Sequence, residues 1–368
     1  MLGGDPMAER RPVGFGFGRR DGSTGGSLEP GDEPFPADAT KLDDDIAATL
    51  LPERPKRGHK GSLGKVLVVA GSLDYAGAAL LACRAAGRAG AGLVTLAVPE
   101  SLQPLFAAKV IEATTMGLPE DDVEEVEPES ALARILDHEH DAIVVGPGLR
   151  PGLATAELVR LLIRAPGESD PAPIVFDAEA LRSLATMDGW WEGERRPAVL
   201  TPHPGEFARL RAGSGHGDAE DGDLLIDDEA RVAAARDAAV SWRSVVVLKG
   251  ARTVIADVDG TVAIAPFENP GLASGGTGDV LAGTIGSLLA QGIAPYAAAR
   301  LGCPPSAIMM IGDSFDRDIR PAVSVGMRAA WLKGSGSREC PDSSLVDACL
   351  STLSELPGVL SPRARTVA

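Results

Sequence analysis

The sequence predicts an α/β fold: a mostly parallel β-sheet covered on both faces by helices. Three features carry that expectation. Short, near-continuous apolar runs recur at Lys65–Ala70, Ala142–Val145 and Val245–Gly250, the pattern of strands buried on both faces. Each run leads into a turn containing glycine. Between the first run and the next strand, Leu93–Val98, lies Ala78–Ala89, a helix-length stretch of small residues that completes a βαβ unit.

The totals set bounds. A chain of 368 residues suggests one large domain or two ordinary ones. Its hydrophobic content of 44% supports a substantial core, and aromatic content of 4% makes that core mostly Ala, Val, Leu and Ile. A net charge of −17 argues against nucleic acid or an anionic membrane as partner. Cys83, Cys303, Cys340 and Cys349 form no CxxC pair, so neither a disulfide framework nor a zinc site is expected and a reducing cytoplasm fits. No signal segment and no apolar run long enough for a membrane span stand out.

Taken in order, residues 1–45 read as a disordered leader rich in Gly, Pro and charge, with one short helix in LDDDIAATLLPERP. GHKGSLGKV approaches a phosphate-binding P-loop but fails in spacing, in Val66 for Ser/Thr, and in preceding its strand. Glu120–Glu129 is an acidic surface run. The strand Ala142–Val145 ends in Gly146-Pro147-Gly148, where open α/β sheets place ligands. PIVFDAEALRSL gives a strand ending at Asp177, which either binds a ligand or caps the helix Ala178–Leu184. The strand Ala198–Leu200 runs into Thr201-Pro202-His203-Pro204-Gly205-Glu206, a loop stiffened by two prolines. Glu206 there either binds Mg²⁺ through water or caps the next helix. His216–Asp228 reads as a polar loop, and ARVAAARDAAVSW as a helix. Lys249 ends the strand Val245–Gly250, and Lys249 and Arg252 beside a glycine turn would offset phosphate charge. DVDGT, Asp257–Thr261, matches a phosphatase nucleophile motif, but Asp259-Gly260 between two short β runs is the stronger signal of a hairpin.

The centre of the sequence is Pro270–Ile285, PGLASGGTGDVLAGTI. Gly275, Gly276 and Gly278 make a turn, and the apolar run from Val280 to Ala290 opens a buried helix. A helix start of this kind holds anions, because its first N–H groups are unpaired. Two readings of Asp279 stand: a general base acting at phosphorus, or a helix cap.

HKGSLGK, GPGL, TPHPGE, KGART and GGTGDVLAGTI, in that order, resemble the ADP/ATP-dependent NAD(P)H-hydrate dehydratases, a ribokinase-like family. The resemblance implies a three-layer α/β/α sandwich over residues 46–301 and a hydro-lyase of metabolite repair. It would restore hydrated NADH or NADPH at the expense of ADP or ATP, with Mg²⁺ bridging the phosphates. It also implies roles residue by residue. Lys249, Gly250, Ala251, Arg252, Thr253 and Gly278 would hold the nucleotide. Ala78, Gly148, His203 and Asp279 would hold the substrate, and Asp279 would be catalytic. Gly275, Gly276, Thr277 and Gly278 would bind phosphate. Relatives suggest a homotetramer. The alternatives are a ribokinase-like kinase of a small alcohol and a nucleotide binder inactivated by its tail.

That tail departs from the family. CPPSAIMMIGDSFDRDIRPAVSVGMRAAWLKG resembles the end of a haloacid-dehalogenase-like phosphatase, with Asp313 and Asp318 in its metal-holding motif. The nucleophile strand and the intervening elements are missing, so residues 302–368 read as a βαβα fragment. Its expected elements are a strand at Ile308–Ile311, a helix at Arg317–Val325, a strand at Arg328–Leu332 and a helix at Leu345–Leu353.

Overall fold

The computed structural model describes residues 36–42, 44–51, 60–122, 124–164, 172–215, 227–266, 275–302, 309–312, 315, 319–320, 328–333, 340–346, 348–351 and 355. In chain order, strand β1 (Thr40–Lys41) and helix α1 (Asp44–Leu50) precede β2 (Lys65–Val69), α2 (Ala76–Arg88), β3 (Leu93–Pro99), α3 (Gln103–Ala107) and β4 (Thr114–Leu118). A small hairpin, β5 (Glu120–Asp122) and β6 (Glu125–Val126), leads to α4 (Pro128–Asp137) and β7 (Ala142–Val145). Then follow α5 (Leu153–Arg164), β8 (Ile174–Phe176), α6 (Glu179–Leu184), β9 (Ala198–Leu200), α7 (Pro204–Gly213), α8 (Asp228–Trp242) and β10 (Val245–Leu248). The hairpin β11 (Val254–Ala256) and β12 (Val262–Ile264) comes before α9 (Thr277–Ala290) and α10 (Pro295–Gly302). The tail adds β13 (Met309–Gly312), β14 (Arg328–Leu332) and β15 (Ala348–Leu350).

Ten strands form one sheet in the order β1-β12-β11-β10-β9-β8-β7-β2-β3-β4. All of its pairings are parallel except those of β11, which runs against both neighbours. Successive residues of β2 serve opposite faces, as strand geometry requires: Leu67 and Val69 join one core, Val66 and Val68 the other. Helices α4 to α8 cover the first face, and α2, α3, α9 and α10 the second. This is the expected three-layer sandwich, and burial on both sides explains the unbroken apolar runs. From β2 the chain moves to β3 and β4 on one side, then returns to β7 and on through β10 on the other. The reversal opens a crevice at the carboxyl ends of β2 and β7.

The small residues of α2 and α9 have a packing reason. A Cβ added to Gly283 would lie 2.2 Å from the Ala82 carbonyl oxygen of α2, and one on Gly286 2.3 Å from Val144 Cγ2 of β7. Only glycine at these places lets α9 lie so close to both.

Several expectations change. The leader reading applies to residues 1–45, of which 1–35 lie outside the described residues. Thr40–Lys41 instead pair with β12, and Leu42 is buried, because the last strand of the hairpin offers an open edge. The short helix predicted after it is α1. The loop expected to Asp228 ends earlier: Asp227 accepts from the Ala230 N–H and caps α8, so Asp228 is helical. Residues 216–226 lie outside the described residues. DVDGT is a hairpin turn, with Gly260 at φ 87° and its N–H donating to the Asp257 carbonyl at 3.0 Å. β13, β14 and β15 form their own parallel sheet. Within the predicted helix Leu345–Leu353 the described residues form no α-helix: Ser343–Leu345 is a 3₁₀ turn and Ala348–Leu350 is a strand, because β14 supplies backbone partners, while residues 347, 352 and 353 lie outside the described residues. Asp313, Asp318, Cys303 and all but Ile319 and Arg320 of the predicted helix Arg317–Val325 lie outside the described residues. No helix among the described residues is long and apolar enough to cross a membrane.

Gly283→Ala is expected to destabilise the fold by about 1–3 kcal/mol through overpacking. Gly87→Ala, whose added Cβ meets nothing within 4 Å, should be neutral or stabilise by up to about 1 kcal/mol. Urea denaturation of the two variants checks the contrast.

Candidate active site

The carboxyl ends of four neighbouring strands deliver the polar residues. β7 runs into Gly146, at φ 119°, where a Cβ would fall 1.8 Å from the Asp177 carbonyl oxygen. No other residue lets the two strand ends pass so closely. Gly148, at φ 66°, lies against α2: a Cβ there would stand 2.5 Å from the Tyr75 carbonyl oxygen and 2.9 Å from Ala78 Cβ. The predicted substrate residues Ala78 and Gly148 are therefore neighbours.

Asp177 follows β8 and is 2% exposed. It does not cap α6, whose start has no side-chain cap and whose N-cap residue is Ala178 at φ 49°. Its Oδ1 accepts from Thr201 Oγ1 at 2.8 Å and from Lys249 Nζ at 2.9 Å. Those partners sit at the ends of β9 and β10, so three adjacent strands meet in one hydrogen-bonded group. Lys249 Nζ also lies 3.9 Å from Glu206 Oε2. Burial works to lower the Lys249 pKa, but the Asp177 and Glu206 carboxylates outweigh it and hold it above the ordinary value.

His203 and Glu206 form a capping box at the start of α7. His203 Nδ1 accepts from the Gly205 and Glu206 N–H groups at 3.1 and 3.3 Å, and Glu206 Oε2 accepts from the His203 N–H at 2.8 Å. This arrangement leaves the His203 side chain 52% exposed, with Nε2 3.4 Å from Glu206 Oε1. Burial, then Lys249, pushes the His203 pKa down, while burial pushes that of Glu206 up against the pull of Lys249.

Helix α9 begins over this group. Gly276, at φ 95°, is its N-cap, and no side chain caps the helix. Asp279 is the third residue of α9, so it does not act as the cap. Residues 270–274 lie outside the described residues; Gly275 is exposed, and Thr277 and Gly278 are half-buried. A Cβ on Gly278 would stand 3.3 Å from Lys249 Nζ and 3.7 Å from Asp177 Oδ2. The glycine thus admits the ion pair to the first turn of the helix. Asp279 beside it has its pKa raised to about 6, first by burial and then by the Asp177 charge, with Lys249 opposing.

The other residues of the predicted nucleotide segment are placed differently. Arg252 is 4% exposed and donates to Asp228 Oδ2 at 3.0 Å. Its charge is therefore committed to α8, whose Arg231 shares the same carboxylate at 3.2 Å. Gly250 and Ala251 are exposed, and Thr253 is half-buried with its carbonyl accepting from the Ala265 N–H at 2.9 Å. Thr201 was not singled out from the sequence as a site residue. Its position at a strand end, like those of Asp177 and Lys249, and its place as first residue of TPHPGE are the signals that could have found it.

Lys249→Met would leave Asp177 buried with Thr201 as its remaining polar partner. Breaking a buried pair from one side costs about 3–5 kcal/mol. The expected result is a loss near the lower end of that range, read by urea denaturation.

Comparison with known proteins places the chain in a family. The sequence pattern of the NAD(P)H-hydrate dehydratases matches residues 66–309, and a HAD-hydrolase-like pattern matches residues 289–355. A bifunctional NAD(P)H-hydrate repair enzyme of Moorella thermoacetica is 46% identical over 68% of this chain and 45% of its own length. One from Salinibacter ruber is 39% identical over 67% and 44%. The chain thus spans just under half the length of these relatives. The crystal structure of an ADP/ATP-dependent NAD(P)H-hydrate dehydratase from Bacillus subtilis, co-crystallised with ATP/Mg²⁺, superposes with a TM-score of 0.59 at 30% identity, covering 73% of this chain and 87% of that one. A ribokinase-like superfamily protein from Enterococcus faecalis, at 23% identity and a TM-score of 0.61 over 80% of this chain and 95% of that one, shares the fold. With a family match over about two thirds of its length and relatives at 39–46% identity, this chain belongs to the NAD(P)H-hydrate dehydratase family and has a ribokinase-like fold.

Proposed function

We propose that this chain dehydrates hydrated NADH or NADPH, consuming ADP or ATP and returning the normal cofactor. The observation that carries the reading is Asp279: a half-buried carboxylate in the first turn of α9, its pKa raised to about 6, beside Lys249 and the glycine start of the helix. An adenine nucleotide would place its terminal phosphate at the first-turn N–H groups of Gly276, Thr277 and Gly278. Lys249 stands against the same turn and would add a charge-assisted bond. The hydrated nicotinamide would lie by Ala78, Gly148 and the exposed His203 ring.

In this reading Asp279 takes the proton from the ring hydroxyl as that oxygen attacks the terminal phosphoryl group. The first-turn N–H groups stabilise the charge that develops, each worth about 2.7–4 kcal/mol of barrier. The phosphorylated hydrate then loses phosphate from one ring carbon and a proton, to phosphate or solvent, from the adjacent carbon, which restores the ring double bond.

Among the described residues no group of three or more His, Cys, Asp or Glu is arranged to hold a metal ion. The site does gather the carboxylates of Asp177, Glu206 and Asp279 around Lys249. That set fits Mg²⁺ arriving on the nucleotide, which takes one or two carboxylates and otherwise phosphates and water. Glu206 would hold it, and the ion would offset phosphate charge. Residues 302–368, with their separate sheet and second family match, are proposed to be an added segment that supplies no catalytic residue.

The test incubates the protein with hydrated NADH or NADPH, Mg²⁺ and either ADP or ATP, following recovered absorbance and released phosphate. Asp279→Asn should cut turnover by about 10²–10⁴-fold while nucleotide binding persists; retained turnover overturns the general-base role. A stable phosphoester product would instead indicate a small-molecule kinase, and nucleotide binding without turnover an inactive binder. The base must be ionised to work, so the rate should be lost as pH falls through about 6. Gly278→Ala would crowd Lys249 and weaken nucleotide binding, by about 1 kcal/mol in calorimetry.

A further inference from the structure

Arg231 of α8 is a buried cation to which the proposed reaction gives no task. It is 3% exposed, and its Nη1 donates to Asp228 Oδ1 at 3.2 Å. Its Nη2 donates to the Leu248 carbonyl at 3.3 Å, and it stands so close to Gly250 that a Cβ there would collide with it. One guanidinium therefore touches the residues on both sides of Lys249. Arg252, 4% exposed, ties down the same loop by donating to the other oxygen, Asp228 Oδ2, at 3.0 Å. Asp228 lies in the first turn of α8, where the helix start favours a charged carboxylate. Stability gives little reason for burying such ions, because apolar residues of similar volume often serve as well.

We infer that Asp228 and Arg231 are positioning residues for Lys249: they fix the strand end from which its side chain reaches the first turn of α9. The backbone there is held from two sides. Toward β9, the Lys249 N–H donates to the Pro202 carbonyl at 2.9 Å. Toward α8, Arg231 holds the Leu248 carbonyl and blocks Gly250. With the backbone set, Nζ meets Asp177 Oδ1 at 2.9 Å and lies 3.3 Å from where a Cβ on Gly278 would stand. A guanidinium suits this task, because its rigid planar fork serves two acceptors at once. Arg252 then acts as a second anchor on Asp228 and not as a phosphate ligand.

The test labels amines of the folded protein with acetic anhydride, in the parent, in Asp228→Asn and in Arg231→Met, and reads each lysine by mass spectrometry. Lys65 is the internal reference: its side chain is 20% exposed and paired with Glu139, against 21% for Lys249 paired with Asp177. Lys249 should label about ten-fold faster in both variants, the change that loosening one charge-assisted bond brings, while Lys65 keeps its parent rate. Equal acceleration at both lysines reports general loosening, and an unmoved Lys249 in a folded variant reports no positioning; either result overturns the inference. Arg231→Met leaves Asp228 paired with Arg252 and keeps the comparison if Asp228→Asn melts too early. Calorimetry with ADP supplies the functional half, which rests on the reading proposed above: Kd should rise about ten-fold in both variants. Tighter binding by Asp228→Asn, as a released Arg252 reaching the phosphates would give, overturns the inference as well. If the parent binds no ADP while Lys249 still labels faster in the variants, the nucleotide reading fails and this inference stands.

Discussion

The site depends on how closely α9 can lie against the rest of the molecule. Gly283 touches the backbone of α2 and Gly286 touches β7, each where a methyl group would collide. That contact fixes the axis of α9, and the axis in turn puts Gly276, Gly278 and Asp279 over the ends of β8, β9 and β10. A helix held a few ångströms further out would keep its capping geometry but lose Lys249 and Asp177 as neighbours of its first turn. Glycine therefore serves two ends of the same helix differently: close packing in the middle, and a left-handed start at Gly276.

Charge is arranged with similar economy. Two arginines, Arg231 and Arg252, share Asp228 and are nearly buried. They tie α8 to the loop after β10 and so hold the strand end that carries Lys249. Lys249 alone among these cations reaches the mouth of α9. Burial raises the pKa of Asp279 and of Glu206, and the negative field of Asp177 adds to it in both while Lys249 opposes. The same field would welcome a cation that accompanies a nucleotide.

The carboxyl-terminal segment obeys different rules. The two family matches overlap across residues 289–309, which include the end of α9 and all of α10. Ala298, Ala299 and Leu301 of α10 are buried in the same core as α2 and α9. By packing, α10 stays with α2 and α9, and the separate sheet begins only at β13.

Much of this was legible in the sequence because local physics decided it. Strands buried on both faces need unbroken apolar runs, so β2, β7, β9 and β10 could be placed from composition. Asp259-Gly260 fixed its own hairpin, and GGTGD announced a glycine-started helix. Other features depended on partners distant in the chain. Asp177 and Lys249 are 72 residues apart, and they meet only because β8, β9 and β10 are neighbours in the sheet. Arg252 beside its glycine turn reads locally as a phosphate ligand, and its bond to Asp228, 24 residues away, is invisible at that level. Ala348–Leu350 and Thr40–Lys41 took their forms from open strand edges that no local pattern reveals. The sequence alone determined which segments become strands and helices and which residue types stand at their ends, since those follow from burial and backbone preference. Only the tertiary structure decided which charges neutralise one another, because Coulomb energy depends on separation in space, and strand order sets that separation.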